Sequence, residues 1–227
     1  MRRAFTVLAI ALLGTLFACI ALQFVERQTL SPLAEGFLKL VPQELGAPNV
    51  ITGILLTYRG FDTIGEVAVL FMVAAGVGLA LGASSRNRAF TQPTKPATEI
   101  VENGARILFP MIAIFAAYII MNGHLSAGGG FQGGAVAASG VLLLLLAQPS
   151  ANVDLEFLGT TESIAGGLFV VAGVVGMIFA GGFLDSTVLP PGTFGTLFSA
   201  GMIPIISLLL GIKVGCELGV IAARFRG

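Results

Sequence analysis

The chain has 227 residues and a mean hydropathy of +0.95, and 11% of its residues are charged where a soluble domain carries about 25%. Twelve basic residues balance twelve acidic ones, so nothing electrostatic argues for nucleic acid or an acidic substrate. The composition is that of an all-α, multi-pass integral membrane protein with the lipid bilayer as its solvent.

Windows of about 20 apolar residues predict six transmembrane helices, at about 5–25, 63–83, 104–122, 131–149, 163–183 and 198–223. The first resembles a signal peptide in its Arg2, Arg3 and apolar run, but it is long enough to span and ends at Gln23, Glu26 and Arg27 without a small-residue cleavage site, so it is expected to stay. If the N-terminus is cytoplasmic, the inner side holds eight basic residues (Arg2, Arg3, Arg86, Arg88, Lys95, Arg106, Arg224, Arg226) against Arg27, Lys39 and Arg59 outside. Both termini are therefore expected in the cytoplasm, in the cell membrane.

After the first span, Ser31 and Pro32 read as an N-cap and a first-turn proline, opening a short amphipathic helix that Pro42 should stop. The stretch NVITGILLTYRGFDTIGE, 49–66, has too short an apolar run to cross alone. It is re-entrant, interfacial, or the first part of a broken helix that continues into the second span. Arg59, Asp62 and Glu66 would share one helical face, either as a solvated helix end or as a network lining an ion route or docking a partner. Residues 84–103, with Pro93 and Pro96, read as a cytoplasmic linker between a two-helix unit (1–83) and a four-helix unit (104–227).

The stretch MNGHLSAGGGFQGG, from Met121 to Gly134, joins two apolar spans yet holds the chain's one histidine, His124. Its glycines Gly128, Gly129, Gly130, Gly133 and Gly134 permit a tight fold against neighbouring protein. Gly130, Gly134 and Ala138 form a small-residue packing stripe, as do Ala172, Gly176 and Ala180 in the fifth span. An acidic inner loop, Gln148 to Glu162, precedes that span, and Asp185 follows it at the outer end.

In the last span Pro204 should kink the outer end, and Gly211, Gly215 and Gly219 make a close-packing stripe. Lys213 and Glu217, i and i+4, lie on the opposite side. Neither face suits lipid, so the helix should be sandwiched by protein, and the chain should be one subunit of a larger assembly. An ionisable residue at mid-membrane is functional by default, with a static structural pair as the alternative. Cys19 and Cys216 fall in apolar segments and read as small hydrophobes, so no metal, disulfide or cofactor is expected in this chain. No nucleotide loop or catalytic triad is present, and the chain is not expected to be an enzyme on its own.

GHLSAGGGFQGG, TES at Thr161 to Ser163 and GIKVG at Gly211 to Gly215 resemble the B subunit of multi-subunit Mrp-type cation/proton antiporters, over about 100–227. NVITGILLTYRGFDTIGE resembles the C-terminal end of the large antiporter chain, the A subunit, as well as the small E subunit of membrane-bound hydrogenases, over about 1–85. Leu125, Ser126 and Ala127 stand where antiporter B subunits tend to read Asn-Ala-Pro, which is nearer the hydrogenase-linked form. The resemblance implies a membrane subunit in a module that exchanges Na+ for H+, within a larger redox-driven complex related to respiratory complex I or, as the alternative, within a standalone secondary Na+/H+ antiporter. Its partners would be other antiporter-module membrane subunits and hydrogenase-like redox subunits, with any metal or iron–sulfur centres on those chains.

Two functions follow. In one, Lys213 and Glu217 relay charge, Asp62 and Glu66 are outer carboxylates, and His124 titrates or positions the loop. In the other, the chain is a structural spacer whose glycine stripes seal the module and whose charges are satisfied statically. An independent transporter is disfavoured by the two covered faces of the last helix and the lack of a clear inverted repeat.

Overall fold

A computed structural model describes residues 2–25, 29–85, 97–148 and 154–226, which fall into two compact units, 1–36 and 37–227. In the first, α1 (Arg2–Gln23) is apolar from Ala4 to Leu22 apart from Thr6 and Thr15, and the Thr15 hydroxyl returns to the Ala11 carbonyl at 2.8 Å. α2 (Pro32–Leu40) starts as the sequence predicts, with Ser31 Oγ accepting from the Ala34 amide at 3.2 Å. The α-helix ends at Leu40, one residue short of the expected Val41 and just ahead of Pro42. The chain continues through a wide turn, Val41–Leu45, in which Pro42 sits at the opening positions where an amide hydrogen is not needed, and the turn ends at Gly46 with φ +67°.

Of the three readings of 49–66, the broken helix is the one realised. α3 (Val50–Gly53) and a wide turn (Ile54–Tyr58) lead through a break at Arg59 into α4 (Gly60–Ser85). Thr63 Oγ1 donates to the Leu55 carbonyl at 2.8 Å and so bridges the break. At Gly60 a Cβ would lie 2.6 Å from the Phe183 carbonyl, and the chain passes there only because the residue is glycine. Tyr58 donates to Glu44 at 2.5 Å, and burial together with that carboxylate raises its phenol to about 12.

The remaining helices are α5 (Glu99–Met121), α6 (Gly130–Ala147), α7 (Leu155–Phe179) and α8 (Ile203–Arg226), with a 3₁₀ turn at Ser186–Val188. Among the described residues there is no strand, and six helices, α1 and α4 to α8, are long and apolar enough to cross a membrane. Their bounds correct the sequence reading in three places. α7 opens at Leu155 and not at 163, because Asp154 caps it by accepting from the Phe157 amide at 2.9 Å. Glu156 and Glu162 therefore belong to the helix and not to an inner loop. α8 begins at Ile203, so Pro204 is its second residue, where proline is tolerated, and it makes no kink within the span. The linker shrinks, since α4 runs to Ser85 and α5 starts at Glu99, while Arg27, Arg86, Arg88 and Lys95 of the charge count lie outside the described residues.

α8 is the helix the second unit gathers round, with α6, α7, α4 and α5 all packed against it. The predicted small-residue stripes explain how. A Cβ at Gly134 would lie 2.8 Å from the Gly211 carbonyl, and one at Gly130 would lie 2.5 Å from that of Ser207, so α6 and α8 meet backbone to backbone. Gly211 takes the Ile120 side chain of α5, and Gly219 takes Leu158 of α7. Gly176 receives the returning chain at Gly182 to Asp185 and not another helix, and Asp185 caps the 3₁₀ turn by accepting from the Thr187 amide at 2.9 Å. Both faces of α8 are thus covered within this chain, so the covered faces alone do not require a second subunit.

The glycine-rich loop is locked from two directions. Gly128 (φ +155°) and Gly129 (φ +140°) supply the positive φ that lets the chain turn into α6. Asn49 uses its whole amide: Oδ1 caps α3 at the Thr52 amide (3.3 Å), while Nδ2 donates to the carbonyls of Gly123 (2.8 Å) and Ser126 (2.6 Å). The Asn49 amide donates to the His124 carbonyl (2.9 Å), and Thr52 Oγ1 donates to Gly123 (2.8 Å). From the far side, Ser207 Oγ of α8 donates to the Ile120 carbonyl at 3.2 Å. His124 is fully buried, with Nε2 3.3 Å from the Thr196 carbonyl, and burial pushes its imidazole below the usual value.

Replacing Asn49 by alanine removes the cap and two loop bonds, and should lower stability by about 2 kcal/mol, a fall of about 4–8 °C in melting temperature in detergent. An unchanged melting temperature would mean that the loop is held elsewhere. The depressed His124 pKa favours the folded state above about 6.5, and that contribution is lost as pH falls from there through the folded pKa. Thermal melts at about pH 8 and about pH 5, on either side of the ordinary histidine value, should therefore diverge more for the native chain than for His124→Gln.

Candidate functional site

The centre of α8 carries the second organising feature. Lys213, the eleventh of its 24 residues, places Nζ 2.5 Å from Glu217 Oε2 and 3.1 Å from Glu162 Oε1 of α7. The side chains of Lys213, Glu217 and Glu162 are 5%, 0% and 16% exposed respectively. An i, i+4 spacing brings Lys213 and Glu217 together, as the sequence predicts. Glu162 is the addition. It lies in the second turn of α7, and one turn further Gly166 lies against the lysine stem, where a Cβ would make ordinary contact, 3.4 Å from Lys213 Cε. Sequence reading missed Glu162 because it placed the residue in a loop. The Glu162 to Gly166 step opposite a mid-span lysine is the signal that could have found it.

Burying charges in an apolar bundle is costly unless they are paired, and deleting one partner of such a cluster leaves the rest uncompensated, at about 3–5 kcal/mol. Glu217 Oε1 is buried and has no hydrogen-bond partner among the described residues. Cys216 beside it is half-buried and free. Among the described residues, no three His, Cys, Asp or Glu side chains are placed to hold a metal ion.

The other predicted carboxylates lie apart from this cluster. Arg59 and Asp62 pair with each other, with side chains 60% and 50% exposed. Glu66, exposed on α4, rims a cavity of about 390 Å³ whose wall includes Thr52, Thr63, Gln132 and the backbone of Gly128 to Gly130. The one-face expectation therefore splits, with Arg59 held by Asp62 and Glu66 turned to the glycine-rich loop. His124 lies in that loop, and no hydrogen bond or ion pair among the described residues joins it to Lys213. A second cavity, about 420 Å³, is walled by apolar residues of α5, α6 and α8 such as Phe109, Val141 and Ile212.

Comparison with known proteins bears on both halves of the chain. Residues 100–220 match the family described as a domain related to the MnhB subunit of Na+/H+ antiporter, and residues 1–97 match the MbhE family, described as the E subunit of MBH. Among solved structures, a chain of the membrane-bound sulfane sulfur reductase, an archaeal respiratory membrane complex, superposes with a TM-score of 0.81 at 35% identity, over 99% of this chain and 97% of that one. A chain of the Mrp complex from Dietzia sp. DQ12-45-1b superposes with a TM-score of 0.78 at 25% identity, over all of this chain and 26% of that one. A probable K+/H+ antiporter A/B subunit of Rhizobium meliloti is 30% identical over 149 residues, which is 55% of this chain and 15% of that protein. The match over more than half of its residues places the chain in a family: it belongs to the domains related to the MnhB subunit of Na+/H+ antiporters, here preceded by a segment that matches the MbhE family.

Proposed function

We propose that this chain is an ion-translocating membrane subunit of an Mrp-type Na+/H+ antiporter module, working inside a larger redox-driven complex in the cytoplasmic membrane. The observation that carries the reading is a lysine at the middle of a membrane-spanning helix, held by two carboxylates and sealed from its surroundings. An ammonium with adjacent carboxylates is a proton relay in kind, because each member can pass or accept a proton without leaving the pair. Glu66, on an open cavity beside the glycine-rich loop, is the carboxylate through which a hard cation such as Na+ would approach, since such ions prefer oxygen ligands. Arg59 and Asp62 would set the entrance and His124 would position the loop. The partners are other antiporter-module membrane subunits and hydrogenase-like redox subunits carrying the metal centres. Two solved relatives that belong to multi-subunit membrane complexes support that assembly.

A spacer function draws on one observation of its own: the glycine contacts between α6 and α8 are satisfied within the chain, as a static scaffold needs. Substitutions separate the two. Lys213→Ala should cut Na+/H+ exchange in vesicles at least tenfold while a tagged chain still pulls down its partner subunits. The triple change Glu162→Gln, Lys213→Met, Glu217→Gln replaces the whole cluster by neutral groups of similar size, which buried pairs often tolerate. An assembled triple variant that exchanges at the native rate would establish the spacer. A pull-down that brings no membrane partner would remove the complex itself, and repeating the exchange with K+ in place of Na+ tests the ion.

A further inference from the structure

Lys213 faces two carboxylates where one would neutralise it. With all three groups ionised the cluster carries one net negative charge, and no other ion pair reaches Glu162 or Glu217 among the described residues. The helices packed around α8 supply no second cation at this point. α6 has no ionisable side chain; α4 has Asp62 and Glu66 near its start, and Arg224 of α8 lies against its Gly78. α5 carries Glu99, Glu102 and Arg106 in its first turns, where Arg106 pairs with Glu102 at 2.7 Å. Cys216 is the remaining titratable neighbour. A net charge sealed among apolar helices is expensive, and an ionised carboxylate oxygen demands a donor that Glu217 Oε1 does not have. One proton removes both costs.

We infer that Glu162, Lys213 and Glu217 bind one exchangeable proton between them, and that Glu162 is the residue through which it enters and leaves. Glu162 has this role because it alone of the three keeps appreciable exposure, in the second turn of α7, while Glu217 is closed off. With the proton on Glu162, the ammonium pairs with Glu217. Lys213 then gives an Nζ proton to Glu217, breaking one N–H bond and forming one O–H bond. The Glu162 O–H bond breaks in turn and its proton remakes the ammonium. One proton has moved from α7 to α8, lysine ends as it began, and no electrons are exchanged. This rests on the reading of Lys213 as part of the translocation path, but the bound proton can be tested apart from it.

The test is infrared difference spectroscopy of the intact complex after a pH jump, read at the carbonyl stretch of protonated carboxyls. Glu162→Gln and Glu217→Gln should each lose the intensity of one carboxyl, since either leaves a neutral ion pair with Lys213. Lys213→Met should gain intensity, because two carboxyls without a cation must both be protonated. A band equal to the native one in both Gln variants overturns the inference. Where a variant does not assemble, the native complex serves: a hydrophobic carbodiimide, which attacks protonated carboxyls, should label Glu162, and absence of label there overturns the inference equally. Loss of the band with normal exchange supports the bound proton and sinks the relay. An unchanged band with exchange lost sinks the bound proton and leaves Lys213 its transport role.

Discussion

An ammonium group at the middle of an apolar helix is the constraint to which the rest of this structure answers. Lys213 cannot face lipid, so α8 must be enclosed, and the second unit is arranged to enclose it. α7 brings a carboxylate to one side. α6 closes the other with glycines at 130 and 134, whose missing side chains let two helix backbones touch. Because small residues occupy one face of α8 and charges the opposite one, the two requirements do not compete for the same surface.

The glycine-rich loop solves a related problem at the membrane edge. The chain between α5 and α6, with Gly123, Gly128 and Gly129 in it, would leave carbonyls and amides without partners if it were not covered. Asn49 and Thr52, from a segment more than seventy residues away, supply the donors, and Ser207 supplies one from α8. The segment matched by the MbhE family and the domain related to MnhB are therefore joined by side-chain hydrogen bonds as well as by chain connectivity. The same bonds set the wall of the cavity that Glu66 rims.

Much of this was legible in the residues. The six spans follow from hydropathy because a bilayer fixes helix length, and the stripes at Gly130 and Gly134 and at Gly211 and Gly215 follow from small-residue spacing. The Lys213 and Glu217 pair is a local i, i+4 fact. What was not legible depended on partners distant in sequence. Glu162 looked like a loop residue because the first two turns of α7 carry Glu156, Thr160, Thr161 and Glu162, and hydropathy counts them as loop when Asp154 has in fact capped the helix ahead of them. The amide of Asn49 could have served several neighbours, and only the fold selects the loop carbonyls. Pro204 read as a kink because its place relative to the helix start was off by a few residues.

The charges of α7 and α8 meet, and the bundle is built around their meeting. A double-mutant cycle on the thermal stability of the assembled complex, with Glu162→Gln, Lys213→Met and the pair, measures that interaction directly. Side chains in contact within one buried network should be coupled by roughly 1 kcal/mol or more, with the double variant costing less than the sum of the singles. Strict additivity would mean that Glu162 and Lys213 do not meet in the membrane and that the bundle is not built around them.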